Sequence, residues 1–124
     1  MADLTDRLRA ALTVAMRSRD RDGVTALRTA LGAIDNASAV DPGESGPAVA
    51  DGPIAGAASG VGATEAARRE LTDADVAAIV EAEIAERDAA ATDYERAGRV
   101  DGAIHLRAEA AALRAVLAGD TPAT

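Results

Sequence analysis

Apolar residues recur at intervals of three and four along four separate stretches of the chain, a spacing typical of amphipathic helices. In the amino-terminal part this pattern predicts one helix over residues 3–19 and a second helix that ends near Ala39. A tight turn over residues 20–23 should join them into an antiparallel hairpin. The predicted apolar faces consist of Leu4, Leu8, Leu12, Ala15 and Met16 in the first helix, and of Val24, Leu27, Leu31 and Ile34 in the second.

The carboxy-terminal part predicts a second hairpin with clearer end signals. Thr72 is placed as the N-cap of a third helix, with acidic residues in its first turn, and Gly98 is placed as its left-handed C′ residue. A fourth helix should run from Val100 to Ala118, with Gly119 as its stop. The predicted faces are Val76, Val80, Ile84, Ala91 and Tyr94 in the third helix, and Leu106, Ala110, Leu113 and Leu117 in the fourth.

Between the two hairpins the composition changes sharply. Residues 42–62 hold six of the eleven glycines and three of the four prolines, and such a segment does not offset the entropy of ordering. We therefore expect an all-α fold of two antiparallel helical hairpins, over residues 1–40 and 64–118, that form one domain. A long disordered loop over residues 41–63 should join them, and residues 119–124 should form a disordered tail.

Composition narrows the possible functions. The chain has 124 residues, a formal net charge of -8, no cysteine and no lysine. The glycine-rich segment 56–64 therefore lacks the lysine of a phosphate-binding loop. The lone His105 has no second histidine for a metal site and no nucleophile to activate, so we expect it to face solvent. We expect no catalytic residue, cofactor or metal.

Two groups of charged residues remain as candidates. Arg17, Arg19 and Arg21 lie at the predicted end of the first helix, where positive charge complements the helix dipole; helix termination is the favoured interpretation, and RNA contact is the alternative. Glu83 and Arg87 have the i,i+4 spacing of an ion pair beside an apolar face. For these two, a pair that fixes the hairpin register is favoured over a binding site.

The sequence also resembles a known family in two stretches. The matching segments are RDRD (19–22), LR (27–28) and AIDNA (33–37), then ELTDADV (70–76), EIAER (83–87) and YERAGR (94–99). In order and spacing they resemble the helical amino-terminal half of YqeY-like proteins. That family is related to the carboxy-terminal region of GatB, a component of the glutamine-dependent aspartyl/glutamyl-tRNA amidotransferase. The positions carried over from the family motif are Arg28, Asn36, Glu83, Arg87, Gly98 and Arg99.

This resemblance implies a non-catalytic helical module associated with a carbon–nitrogen ligase that uses glutamine as amide donor. Its partner would be tRNA or a protein of tRNA amidation, and the candidate contact residues are Arg17, Arg19, Arg21 and Arg28. The chain departs from the family in its long central loop and in lacking the second helical domain that usually follows. The alternative is a structural interaction protein, in the form of a homodimer without a tRNA role.

The amino terminus lacks the basic and apolar segments of a signal peptide, and no apolar run approaches the roughly 20 residues that span a bilayer. We therefore expect a cytoplasmic protein with no membrane contact.

Overall fold

Four helices account for most of the described residues. The computed structural model describes residues 2–39 and 70–119, and within them the helices are α1 (Leu4–Ser18), α2 (Arg21–Ser38), α3 (Asp73–Arg96) and α4 (Val100–Leu117). These described residues contain no strand, so the all-α prediction is confirmed. The predictions for the loop over residues 41–63 and for the tail beyond Gly119 lie outside the described residues.

The turn between α1 and α2 is shorter than the sequence predicted. Arg19 ends α1 in the left-handed conformation, with φ of 59°, and Asp20 is already the N-cap of α2. The Asp20 carboxylate accepts a hydrogen bond from the backbone N–H of Gly23, at 3.1 Å. That bond satisfies a donor in the first helical turn, so Gly23 belongs to the helix and not to the turn.

The ends of the second hairpin agree with their sequence signals. The Thr72 hydroxyl accepts from the backbone N–H of Asp75 at 3.0 Å, and the Asp75 carboxylate accepts from the N–H of Thr72 at 3.0 Å, which completes a capping box. Gly98 and Gly119 have positive φ angles of 77° and 82°, so both predicted glycine stops are confirmed.

All four helices contribute to one apolar core. Leu8, Val80 and Leu113 are its largest fully buried side chains, and the alanines of α2 let the helices approach closely. Two predicted core positions are wrong: Met16 is 50% exposed and Tyr94 is 39% exposed. The buried members of the core are Leu4, Leu8, Ala11, Ala15, Ala26, Leu27, Ala30, Ile34, Val76, Val80, Ile84, Ala110, Leu113 and Val116.

Contacts between helix ends fix the arrangement of the two hairpins. At one end of the bundle the backbone N–H of Leu4 donates to the Asp73 carboxylate at 3.2 Å, and Arg7 donates to the backbone carbonyl of Val116 at 3.1 Å. At the other end His105 Nδ1 lies 3.0 Å from an Asp22 carboxylate oxygen. Both interhelical turns, residues 19–20 and 97–99, therefore lie at this second end, which we call the turn end.

None of the helices within residues 2–39 and 70–119 is long and apolar enough to cross a membrane.

Candidate interaction surface at the turn end

The arginines of the described residues divide into two groups by whether their side chain has a hydrogen-bond or ion-pair partner. In five of them the guanidinium group has a partner, which is a carboxylate in four and a backbone carbonyl in Arg7. The other six have no hydrogen bond or ion pair to another described side chain, and all six are exposed. The partnered group is Arg7, Arg9, Arg87, Arg107 and Arg114, and the unpaired group is Arg17, Arg19, Arg21, Arg28, Arg96 and Arg99.

The unpaired arginines are concentrated at the turn end. Arg17 and Arg19 are at the carboxyl end of α1, and Arg96 is the last residue of α3. Arg28 is seven residues into α2, further from the turn. The structure thus brings three of the four predicted contact residues to one end and adds the two arginines of the second turn, which the sequence alone had not connected to them.

Helix stabilisation explains only part of this group. Positive charge at the end of α1 complements the helix dipole, which accounts for Arg17 and Arg19. Arg21, however, is the first residue of α2, and Arg99 is the N-cap of α4 without a side-chain capping bond. Positive charge at a helix amino terminus is unfavourable. The structure therefore does not support helix termination as the role of Arg21.

A shallow depression of about 380 Å³ lies beside the first turn. Arg19 and Arg21 contribute to its lining together with the apolar side chains of Met16 and Val24. Met16, which the sequence placed in the core, is exposed on this surface.

Acidic residues at the turn end are largely engaged. The Asp20 carboxylate caps α2, and Asp22 pairs with His105, while Glu95 accepts from Arg107 at 2.8 Å. The hydrogen bond and charge of Asp22 raise the pKa of His105 above its usual value. His105 is exposed, as expected, but its contact across the two hairpins was missed because nothing in the sequence aligns α2 with α4.

The Glu83–Arg87 pair is confirmed, and it is larger than predicted. Arg87 Nη1 donates to Glu83 Oε1 at 2.7 Å, and Arg87 Nε donates to Glu109 Oε1 at 2.9 Å. The three side chains are only 10%, 15% and 14% exposed, in the order Arg87, Glu83 and Glu109. Burial alone would lower the pKa of Arg87, but the hydrogen bonds and charges of both glutamates raise it overall. This arrangement supports a register-fixing role, since it ties α3 to α4.

The six family-motif positions do not form one site. Glu83 and Arg87 lie in the α3–α4 interface, and Gly98 and Arg99 form the second turn. Arg28 is exposed within α2, and Asn36 is exposed in the last turn of α2, at the opposite end from the turn end. The fold therefore does not bring these residues together in a single pocket.

The described residues contain no group of three or more histidine, cysteine, aspartate or glutamate side chains placed to hold a metal ion. A crevice of about 310 Å³ between α1, α2 and α4 is lined mainly by small apolar residues, and its one titratable side chain, Asp20, caps α2.

Sequence reasoning also missed the surface ion pairs that link α3 to α4. Asp88 pairs with Arg114 and with Arg107, the second contact at 3.7 Å. A helical hairpin of known register would have suggested these pairs, but the register follows only from the structure.

Comparison of the chain with protein-family models, with curated proteins and with solved structures finds no match in any of the three.

Proposed function

We propose that the chain is a non-catalytic helical interaction module that binds tRNA through the unpaired arginines of the turn end, in the setting of tRNA-dependent amidation. The observation that carries the proposal is the distribution of the unpaired arginines: apart from Arg28, they all lie in the two turns or at the helix ends that adjoin them, whereas the partnered arginines lie elsewhere along the helices. The resemblance to GatB and YqeY-like proteins supplies the setting.

Guanidinium groups suit a phosphate backbone because their fork of donors makes two parallel hydrogen bonds to phosphate oxygens. A partner that supplies several phosphates would also explain the arginines at helix amino termini, whose positive charge the helices themselves disfavour. The described residues carry eleven arginines against sixteen aspartates and glutamates. The acidic remainder of the molecule would repel RNA and so orient the turn end toward it.

The test is binding of bulk tRNA, measured by fluorescence anisotropy at several salt concentrations, with two triple variants. One replaces three arginines of the turn end (Arg19→Gln, Arg21→Gln and Arg99→Gln). The matched control makes the same change in net charge away from that end (Arg7→Gln, Arg9→Gln and Arg114→Gln).

We expect the turn-end variant to bind more weakly and the control to bind as the natural chain does. Each lost phosphate contact lowers the slope of log Kobs against log salt by about 0.7 to 0.9, so the turn-end variant should lose about 2 to 3 from that slope. Equal loss in both variants would show that only net charge matters, and binding of tRNA by the turn-end variant with the affinity and salt dependence of the natural chain would refute the proposal.

The alternative, a structural homodimer, is favoured by a different observation. Val100 and Ile104 are 56% and 58% exposed, and their i,i+4 spacing places them on one face of α4. Sedimentation velocity over a hundredfold range of concentration tests it, with Val100→Ser/Ile104→Ser as the variant that should remain monomeric. A mass that stays monomeric in the unaltered chain would exclude this alternative.

A further inference from the structure

Tyr94, the sole aromatic residue of the chain, is exposed although it lies on the core-facing side of α3. Val80, Ile84, Arg87, Ala91 and Tyr94 follow one another at intervals of four and three, the spacing of a single helix face. The first four are buried and Tyr94 is not. The first hairpin therefore ends before it can cover Tyr94.

The lengths of the helices explain why. α1 and α3 begin at the same end of the bundle, where Leu4 bonds to Asp73, but α1 has 15 residues and α3 has 24. The nine extra residues supply about 13 Å of helix. The second hairpin thus projects past the first turn, and Tyr94 stands at the resulting step. At this step Tyr94 lies beyond the turn that carries Arg19 and Arg21, and we call the surface around its ring the Tyr94 ledge.

The ring is held in place by a glycine of α4. A Cβ atom at Gly102 would overlap Cδ2 and Cε2 of Tyr94, so one edge of the ring packs against the Gly102 backbone. Gly102 precedes His105 by three residues, which is about 4.5 Å of helical rise. Since His105 contacts Asp22, the ring lies within one helical turn of the level at which the first hairpin meets α4.

Unpaired arginines belong to the chain segments next to the ledge in both hairpins. Arg21 adjoins Asp22 in the first hairpin, and the backbone N–H of Arg99 donates to the Tyr94 carbonyl at 2.8 Å. Acids lie in the same segments: Asp22 pairs with His105 and Glu95 pairs with Arg107, while Asp93 and Asp101 are exposed.

From this geometry we infer that the Tyr94 ledge is a stacking platform for an unpaired nucleobase, whose neighbouring phosphates are bound by the arginines of the two turns. An exposed aromatic ring beside unpaired guanidinium groups is the combination by which proteins bind single-stranded nucleic acid, because every base has a face that stacks. This inference rests on the proposed function and names the feature of the RNA that is recognised: an unpaired nucleotide in a loop or at an end.

The probes are a ten-nucleotide oligoadenylate and an abasic oligomer of the same length, which offers the same phosphates without bases. Binding is measured by titration for the natural chain, Tyr94→Leu and Tyr94→Phe. Tyr94 provides the only tyrosine ring signals in the protein, so its ring carbons and protons report stacking directly in a heteronuclear NMR spectrum of isotopically labelled protein.

Oligoadenylate should shift the Tyr94 ring signals upfield, and the abasic oligomer should not. Tyr94→Leu should bind oligoadenylate about 5- to 140-fold more weakly, the range that corresponds to loss of one stacked base, while Tyr94→Phe keeps its affinity. Affinity for the abasic oligomer should be the same in all three proteins. Thermal unfolding of the variants, followed by circular dichroism, ensures that each is folded under the binding conditions.

Equal affinity of Tyr94→Leu and the natural chain for oligoadenylate, or ring signals that do not move, would overturn the inference while leaving arginine-dependent tRNA binding intact. Ring signals that shift with protein concentration alone would also overturn it, since a second copy would then cover the ledge. Failure of the proposed function is distinguishable, because neither oligomer nor tRNA would then bind.

Discussion

Replacing Arg87 with methionine gives the sharpest test of how the second hairpin is held together. Arg87→Met keeps most of the apolar stem but removes the cation that lies 2.7 Å from Glu83 Oε1 and 2.9 Å from Glu109 Oε1. Two carboxylates, each about 15% exposed or less, are then left without their partner.

Removing one partner of a buried ion pair costs about 3 to 5 kcal/mol. Since these side chains keep some exposure, we expect about 3 kcal/mol, the lower end of that range. A loss of this size lowers the melting temperature of a domain of 60–100 residues by about 12 °C or more. It is also a large share of the roughly 5–15 kcal/mol by which small domains are stable.

The assay is urea unfolding followed by the helical circular dichroism signal, with Arg114→Met as the matched control. Arg114 also links α4 to α3, through Asp88, but its side chain is 55% exposed, so its removal should cost no more than about 1 kcal/mol. A second variant, Glu83→Leu/Arg87→Met/Glu109→Leu, removes all three charges and should recover most of the lost stability. If Arg87→Met is no less stable than Arg114→Met, the cluster does not hold the hairpin together and the reasoning is refuted.

Three smaller changes test the ends of the helices and the contact between the hairpins. Thr72→Ala should cost about 1 kcal/mol in urea unfolding because the backbone N–H of Asp75 loses its cap, and Thr72→Ser should restore most of it. Gly98→Ala should cost about 1 to 2 kcal/mol, because φ of 77° is strained for any residue with a Cβ; an unchanged urea midpoint would contradict this. Asp22 raises the pKa of His105, so their contact stabilises the protein fully below the ordinary histidine pKa and this stabilisation is lost as pH rises through the raised pKa. An NMR titration of the single histidine should show that raised pKa, and Asp22→Asn should bring it back toward the ordinary value.

Local signals in the sequence were sufficient to predict the four helices and the ends of the second hairpin. Thr72, Gly98 and Gly119 act through bonds and backbone angles within a few residues, which a single sequence reports directly. The Glu83–Arg87 pair was predictable for the same reason, because both residues lie on one helix at i,i+4.

Contacts between helices were not predictable, because they depend on where each helix ends in space. Glu109, which is 22 residues from Arg87 in sequence, completes the cluster of Glu83, Arg87 and Glu109. His105 contacts Asp22, which is 83 residues away in sequence. Tyr94 shows the same limit most clearly. Its spacing correctly placed it on the core face of α3, but its burial depended on the reach of the other hairpin.

The mismatch in hairpin length therefore connects stability with the proposed function. The extension of α3 past α1 lies outside the main apolar core, whose last member on α3 is Ile84. Beyond Arg87, Ala91 and Ala103 are buried but lie outside that core, and the Tyr94 ring, 39% exposed, packs against Gly102. The projecting hairpin thus holds an aromatic ring at a fixed height above the first turn. The two hairpins begin at the same end of the bundle, so the arginines of both turns lie at the opposite end. Under the proposed function, this projecting part is the surface on which one base and its phosphates would be bound together.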